Sequence, residues 1–207
     1  MKIIDISQPL HTTTAVWPGD QPFELRWTLR QDRGDSVNVA ALTLSAHTGT
    51  HVDAGYHVLA NGARVAELPL RNFIGPAVVV DAIGLARLDE RVLDRFDVNA
   101  AQRVLFRTRR SVDPAEFPLD FLSPSVELAR RLVAAGVQLI GSDAPSMDAH
   151  DSKTLDAHRV LLEGGVAIVE NLVLTDVAPG RYTLVALPLK LMEADGSPVR
   201  AVLLPEI

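Results

Sequence analysis

The chain has 207 residues, of which 47% are hydrophobic and 22% are charged, and this balance predicts a folded protein with a sizeable core rather than a disordered chain. The formal net charge is −6 and no dense cluster of lysine and arginine occurs, so neither nucleic acid nor an anionic membrane is an expected partner. Cysteine is absent, which excludes disulfides, thiol nucleophiles and cysteine-ligated zinc.

The N-terminal segment MKIIDISQPL contains no apolar stretch long enough for a signal peptide. No apolar run elsewhere reaches the length of about 18 residues that a membrane-spanning helix needs. These features predict a soluble cytoplasmic protein.

The first half of the chain is rich in predicted β-strands. Short apolar or alternating runs predict strands in the segments IIDIS, FELRWTLRQ, SVNVAALTLSA, GPAVVVDA and RVLFRT. Between the first two, TTTAVWPGDQPF is a predicted loop, because Pro18, Gly19 and Pro22 interrupt any regular element. Trp27 lies in a predicted strand and is expected in the core.

Two segments in the second half predict helices. In SPSVELARRLVAAG, Ser123 is the expected N-cap, Pro124 suits the first helical position, and Gly136 suits the position just past the end. The segment LDAHRVLLEGG predicts a second helix that ends at Gly164 and Gly165.

Further strands are predicted in VQLIGSD, VAIVENLVL, RYTLVALPL and VRAVLL, the last of which could close the sheet. Strands outnumber helices, and no internal repeat or linker interrupts the chain. The sequence therefore predicts a single mixed α/β domain over residues 1–207, although the pattern leaves the strand order open.

Three of the six histidines fall within residues 45–58, which read SAHTGTHVDAGYHV. In an extended segment His47, His51, Asp53 and His57 would share one face, since side chains alternate with a period of two. In a helix they would form two i, i+4 pairs that point in different directions. A strand that ends and turns into a short helix would gather all four side chains around one point.

This group of side chains predicts a metal site. Neutral imidazole and carboxylate are the nitrogen and oxygen ligands that Zn²⁺ and similar ions accept. Three protein ligands with an open position make a catalytic site, where the metal lowers the pKa of bound water. The alternative is a surface loop with unrelated histidines, and the spacing H-x-x-x-H-x-D-x-x-x-H favours the metal.

Other polar residues are weaker candidates alone. A single helical histidine such as His158 is more often structural. Glu170 lies in an apolar run, where a buried carboxylate needs a cation or hydrogen bonds. In GSDAPSMD, the residues Asp143, Ser146 and Asp148 either line a site after a strand or belong to an ordinary turn.

Trp17 lies in a loop rich in proline and glycine, where it can pack against the core, a neighbouring chain or a planar substrate. His11 and His150 are expected as loop or surface residues. The sequence contains no G-x-S-x-G nucleophile motif, no P-loop and no G-x-G-x-x-G. Metal-activated water is therefore favoured over serine chemistry.

The segment HTGTHVDAGYH resembles the signature H-x-G-T-H-x-D-x-P-x-H of the metal-dependent cyclase-like hydrolases. The resemblance covers nearly the whole chain, including IIDISQPL, GSDAPSMD and the spacing from His158 to Glu170. VWPGD and the ending PLKL…DGSPVRAVL are similar to the bacterial kynurenine formamidases within that superfamily. The resemblance implies hydrolysis of N-formyl-L-kynurenine to L-kynurenine and formate, a step of tryptophan degradation.

The resemblance also implies a site with two zinc ions, for which Mn²⁺ or another divalent ion is an alternative. His47, His51 and Asp53 would bind one ion. Asp53, His158 and Glu170 would bind the second, so that both carboxylates bridge the pair. Two carboxylates would offset part of the charge of two divalent ions in a poorly solvated pocket.

The other implied roles concern the reaction and the assembly. A metal-bound hydroxide would attack the formyl carbon, His57 would protonate the departing amine, and Trp17 would contact the aromatic ring. The implied fold is a mixed, partly barrel-like sheet flanked by helices, and the implied assembly is a homodimer. Gly55 stands where the signature has proline, which leaves the ligands intact and questions only the rigidity of the loop.

Two alternatives stay open. A related enzyme could hydrolyse another aryl or cyclic amide, such as an isatin-like ring, at the same metal site. A non-catalytic metal-binding or interaction protein would need neither His57 beyond the ligands nor an open coordination position.

Overall fold

The computed structural model describes residues 2–97 and 102–205. Its strands are β1 (Ile4–Asp5), β2 (Glu24–Leu29), β3 (Val39–Thr43), β4 (His51–Asp53), β5 (Ile74–Asp81), β6 (Arg103–Arg107), β7 (Leu139–Ser142), β8 (Ala167–Glu170), β9 (Gly180–Val185), β10 (Gly196–Pro198) and β11 (Val202–Pro205). Its α-helices are α1 (Val126–Ala134) and α2 (Asp156–Glu163). Within the described ranges, neither helix is long and apolar enough to cross a membrane.

Nine strands form one mixed sheet in the order β1-β11-β9-β5-β6-β7-β8-β4-β10. The strands β5, β6, β7 and β8 run parallel, and their outer neighbours β9 and β4 are antiparallel to them. The sheet curls into a half-barrel, so the predicted fold class is confirmed. The sheet draws strands from Ile4 to Pro205, and one domain over residues 1–207 stays a prediction.

Apolar side chains cover both faces of this sheet, because side chains along a strand point alternately to opposite sides. On β7 and β8, Leu139 and Val169 belong to one buried cluster, while Ile140 and Ile168 belong to another. The second cluster also takes residues from the helices, namely Leu128, Ala129, Leu132, Ala157 and Leu161. Helices α1 and α2 therefore cover one face, and strands from both chain ends complete the core on the other.

The first helix begins two residues later than the sequence predicts. Its N-cap is Ser125, whose hydroxyl accepts a hydrogen bond from the backbone of Leu128 at 3.1 Å. Ser123 was the wrong expectation, because Pro124 pairs with Leu88 in an isolated β-bridge and keeps the chain extended. At the other end, Gly136 has a φ of 75°, as expected for a residue just past a helix.

Strands β2 and β3 form a separate two-stranded hairpin. Its register pairs Leu25 with Leu42 and Trp27 with Ala40, which places these apolar side chains on one face. Trp27 is 45% exposed and Leu42 is 57% exposed. The expectation that Trp27 lies in the core is therefore wrong, because alternation predicts the strand but not what covers it.

The other predicted elements agree with the structure, apart from the position of the last strand. The run GPAVVVDA overlaps β5 and RVLFRT contains β6, while β8 takes only Ala167–Glu170 of VAIVENLVL; the second helix ends before Gly164 as predicted. The strand in VRAVLL lies between β1 and β9 rather than closing the sheet. The short strand β10 was not predicted, whereas β4 is the strand that the histidine spacing suggested, and both lie at the candidate site.

Candidate metal centre and active-site cavity

A cluster of buried histidines and carboxylates lies where the carboxyl ends of the parallel strands meet β4. Glu170 is the last residue of β8 and pairs in register with His51, the first residue of β4. Asp53 ends β4, and His158 lies in the first turn of α2. All four residues are 97% or more buried, with exposures of 2% for His51, 1% for Asp53, 2% for His158 and 3% for Glu170.

The first set of possible ligands is His47, His51 and Asp53, whose nitrogen and oxygen atoms lie within 4.8 Å of one another. His47 Nδ1 lies 2.9 Å from Asp53 Oδ1, and His51 Nε2 lies 3.4 Å from the same oxygen. The Gly49 carbonyl accepts a hydrogen bond from His51 Nδ1 at 2.8 Å. This bond leaves Nε2 as the free nitrogen that faces the carboxylates.

The second set is Asp53, His158 and Glu170, which meets the same 4.8 Å criterion. His158 Nε2 lies 3.1 Å from Glu170 Oε1 and 3.4 Å from Asp53 Oδ2. Asp148 Oδ2 accepts a hydrogen bond from His158 Nδ1 at 2.7 Å. A carboxylate behind a ligand histidine in this way fixes the tautomer and aims the other nitrogen at the metal.

The GSDAPSMD turn thus divides into two roles. Asp148 supports the site, because it also accepts hydrogen bonds from the backbone of Ala157 and His158 at the start of α2. Asp143 serves the fold instead, since its carboxylate accepts hydrogen bonds from Thr108 and from the backbone of Arg109. Ser146 lines the cavity, and its hydroxyl accepts a hydrogen bond from the backbone of Asp148 at 3.2 Å.

The charges of the cluster fit a bound cation. Asp53 Oδ2 is buried and has no hydrogen-bond partner, which is costly for a carboxylate oxygen. Burial disfavours the charged form of His47, but hydrogen bonds to Asp195 and Asp53 outweigh it and raise the pKa to about 10. Burial likewise opposes charge on His51, while bonds to Asp53 and Glu170 raise its pKa to about 9. Divalent ions can replace the protons that these carboxylates hold on the imidazoles.

His57 lies beside this cluster and is more exposed. It ends a short 3₁₀ turn, Gly55–His57, that directly follows β4. Its ring centre is 4.2 Å from that of His47 and 6.1 Å from that of His158. A short strand followed by a helical turn is the arrangement that the spacing of the histidines predicts.

The cluster opens into a cavity of about 380 Å³. Trp17 forms part of its wall, with Phe117 edge-to-face at 5.1 Å and His150 stacked at 5.2 Å and 27°. His150 was expected as a loop or surface residue; it does lie in a loop, but its ring lines the cavity. Charged residues of both signs also line it, namely Asp20, Arg109, Asp113, Glu116 and Lys153.

Comparison with known proteins identifies the family. A family profile described as putative cyclase matches residues 4–149. The chain belongs to the Cyclase family. Its sequence is 47% identical over 206 residues to the kynurenine formamidase of Salinibacter ruber, covering 98% of this chain and 97% of that protein. A kynurenine formamidase of Bacillus cereus is 44% identical over 202 residues, with the same two coverages of 98% and 97%. These matches confirm the resemblance to the cyclase-like hydrolases and kynurenine formamidases that the sequence motifs indicate.

Solved structures of metal-dependent hydrolases and isatin hydrolases share the fold. A potential metal-dependent hydrolase with cyclase activity superposes with a TM-score of 0.84 at 29% identity, covering 98% of this chain and 96% of the other. Isatin hydrolase A from Labrenzia aggregata has a TM-score of 0.84 at 26% identity, covering 99% and 94%.

The turn around Gly55 is tightly packed. A Cβ on Gly62 would lie 2.1 Å from the Gly55 carbonyl carbon, so the two backbones are in direct contact. The backbone N–H of Tyr56 also donates to the carbonyl of Ala63 at 3.0 Å. Contact with residues 62–63 therefore holds the His57 turn where the family signature uses a proline.

Sequence reasoning missed Asp195, which lies just before β10. Its Oδ2 is 3.0 Å from His47 Nε2 and 3.2 Å from His57 Nδ1, and the three residues form a third set with metal-ligand spacing. A Cβ on Gly196 would lie 2.9 Å from His47 Cε1, so only glycine leaves room for that ring. The sequence feature that could have pointed to this residue is the pair Asp195-Gly196. It lies in the ending PLKL…DGSPVRAVL, which is already part of the family resemblance.

Proposed function

We propose that this chain is a metal-dependent arylformamidase that hydrolyses N-formyl-L-kynurenine to L-kynurenine and formate. The observation that carries the proposal is the identity of 44–47% to kynurenine formamidases over 98% of the chain. The buried cluster supports the proposal, because its nitrogen and oxygen atoms and the unsatisfied Asp53 Oδ2 suit divalent ions. Divalent ions bound in this way can catalyse amide hydrolysis.

We assign two divalent ions to this cluster, with zinc as the first choice and Mn²⁺ as an alternative. His47, His51 and Asp53 would hold one ion, and Asp53, His158 and Glu170 the other, with the carboxylates shared. Bound there, divalent ions polarise a carbonyl oxygen and make water a better nucleophile at neutral pH.

The residues of the chain would supply the proton and the orientation. His57 lines the cavity next to the cluster and is placed to protonate the nitrogen of the departing arylamine. That proton is needed because an anilide anion is a poor leaving group. Trp17 would hold the substrate's aromatic ring against the wall that Phe117 and His150 complete.

The size and polarity of the cavity suit such a substrate. A volume of about 380 Å³ lies within the usual range for small-molecule sites. The substrate carries an aromatic ring, a formamide and an amino-acid group. The cavity offers an aromatic wall, charged side chains of both signs, and the metal-type cluster formed by His47, His51, Asp53, His158 and Glu170.

We also propose a homodimer in which a second copy covers the apolar face of the β2–β3 hairpin. An isolated two-stranded hairpin is marginally stable in water, and this one exposes Leu25, Trp27 and Leu42 together. Sedimentation velocity of Trp27→Glu should show monomers where the parent chain shows dimers, and a dimeric variant would exclude this face. The cytoplasmic location stays a prediction from composition.

A second candidate function is hydrolysis of a cyclic amide such as isatin. It is favoured by the likeness to isatin hydrolase A, which extends over 99% of this chain. The two reactions need the same cluster and differ in what the cavity wall accepts.

The deciding experiment compares the two substrates on one preparation. Rates with N-formyl-L-kynurenine and with isatin are measured before chelation, after chelation and after Zn²⁺ is restored. Formamide hydrolysis that is lost and then recovered supports the proposal. Isatin turnover without formamide turnover, in protein that holds metal, would transfer the assignment to the second candidate.

A further inference from the structure

We propose that Asp195 is a positioning residue that fixes the tautomer and the location of the His57 ring. This inference rests on the proposed function, in which His57 protonates the departing amine. Its basis is the single carboxylate oxygen that lies within hydrogen-bond distance of both His57 Nδ1, at 3.2 Å, and His47 Nε2, at 3.0 Å.

The contact determines which ring nitrogen of His57 handles the proton. A carboxylate oxygen accepts hydrogen bonds, so the Nδ1 that faces Asp195 is the nitrogen that carries hydrogen. The other nitrogen, Nε2, is then the one that exchanges a proton with the substrate. A histidine held by a carboxylate on one side and used on the other is a common arrangement in proton-transfer sites.

Asp195 is itself held by the strand framework that carries the ligands. Strand β10 pairs with β4, with Gly196 opposite Asp53. The Asp195 carbonyl accepts a hydrogen bond from the backbone of Ala54 at 2.8 Å, directly before the His57 turn. The carboxylate, the metal-type cluster and the His57 turn therefore share one rigid support.

The shared oxygen also couples the two histidines. His47 uses Nδ1 toward Asp53 and Nε2 toward Asp195, and its ring lies 4.2 Å from the ring of His57. Asp195 thereby sets the distance between a proposed metal ligand and the proposed proton donor. Its side chain is 39% exposed, so it is not a buried group that the fold alone requires.

The test compares Asp195→Asn with Glu193→Gln, an exposed carboxylate two residues earlier in the chain. Both variants neutralise one carboxylate in the same segment. We expect Asp195→Asn to lower kcat on N-formyl-L-kynurenine by roughly 10²-fold, the lower end for loss of general-acid catalysis. We expect KM and bound metal per chain to be unchanged, and Glu193→Gln to behave like the parent chain.

Leaving-group dependence separates positioning from general damage. Ring-substituted formanilides, from 4-methoxy to 4-nitro, release anilines of decreasing basicity, and the less basic anilines need less help from an acid. The Asp195→Asn defect should shrink along this series. An equal defect on every formanilide would refute the proposal, and loss of metal would make Asp195 a ligand instead.

Two further measurements complete the test. In a His57→Ala background, Asp195→Asn should produce no further loss beyond about twofold, because the two residues act as a unit. Long-range proton–nitrogen NMR of the His57 ring should show hydrogen on Nδ1 in the parent chain and a tautomer mixture in Asp195→Asn. Additive losses or an unchanged tautomer would contradict the role of Asp195 alone. A parent chain that holds metal but hydrolyses neither N-formyl-L-kynurenine nor any formanilide would overturn the proposed function itself.

Discussion

The two halves of the site are built from different kinds of structure. The metal-type cluster is mostly buried and takes its residues from β4, β8, α2 and the turn before β4, whereas the aromatic wall is partly exposed and takes Trp17, Phe117 and His150 from loops. Strands and helices that are hydrogen-bonded to one another fix the positions of the side chains they carry to within a few tenths of an ångström. Loops tolerate changes of sequence and conformation more readily. We infer that the cluster determines the reaction and the wall determines the substrate.

The strongest test of this division is Asp53→Ala. Asp53 contributes to both proposed metal sets and is 1% exposed. We expect metal and activity to be lost together, with kcat/KM reduced by more than about 10³-fold, because both ions lose a shared ligand. Metal analysis and steady-state rates measure this, and a variant with full metal content would disprove the bridging role.

His57→Ala should separate chemistry from metal binding. We expect normal metal content and a kcat lower by about 10²–10⁴-fold, since the arylamine then leaves without a positioned acid. Rates and metal content are measured on the same preparation. Retained turnover would remove His57 from the mechanism.

A smaller effect is expected behind the ligands, at Asp148→Asn. The change weakens the bond that aims His158, so metal affinity should fall by about 10–100-fold. Competition with a chromophoric chelator measures that affinity. Asp151→Asn, an exposed position three residues further on, is the control, and equal affinities in the two variants would show that Asp148 only caps α2.

The smallest effect is expected on the loop side, at Trp17→Ala. Loss of one aromatic contact is worth about 0.5–1.5 kcal/mol, so KM should rise by roughly 3–10-fold while metal content stays constant. Trp17→Phe should recover most of this difference. A change in kcat alone, with KM preserved, would contradict the separation between wall and cluster.

Local spacing predicted the part of the cluster that lies in one segment, the family resemblance added His158 and Glu170, and long-range pairing explains what was missed. The spacing of His47, His51 and Asp53 belongs to one short segment, so its geometry follows from one strand and one turn. Asp195 reaches the same point only because β10 pairs with β4, and no local pattern specifies that pairing. The place of the His150 ring in the cavity wall was missed for the same reason, since its loop was predicted correctly but only packing brings the ring to Trp17.

The fold shows the same limit. Alternation and turn residues predicted most strands, yet they could not distinguish the covered strands of the main sheet from the exposed hairpin that carries Trp27. The two-residue error at Ser123 arose because a serine on either side of Pro124 satisfies the capping pattern.

The unsatisfied oxygen of Asp53 has a consequence for the lifetime of the protein. Ions bound between β4, β8 and α2 would join segments that are far apart in sequence, and any ligand that binds only the folded state opposes unfolding. Metal starvation should therefore leave a chain that proteases degrade faster, in addition to a slower catalyst. The abundance of the protein, as well as its turnover, would then follow the supply of metal.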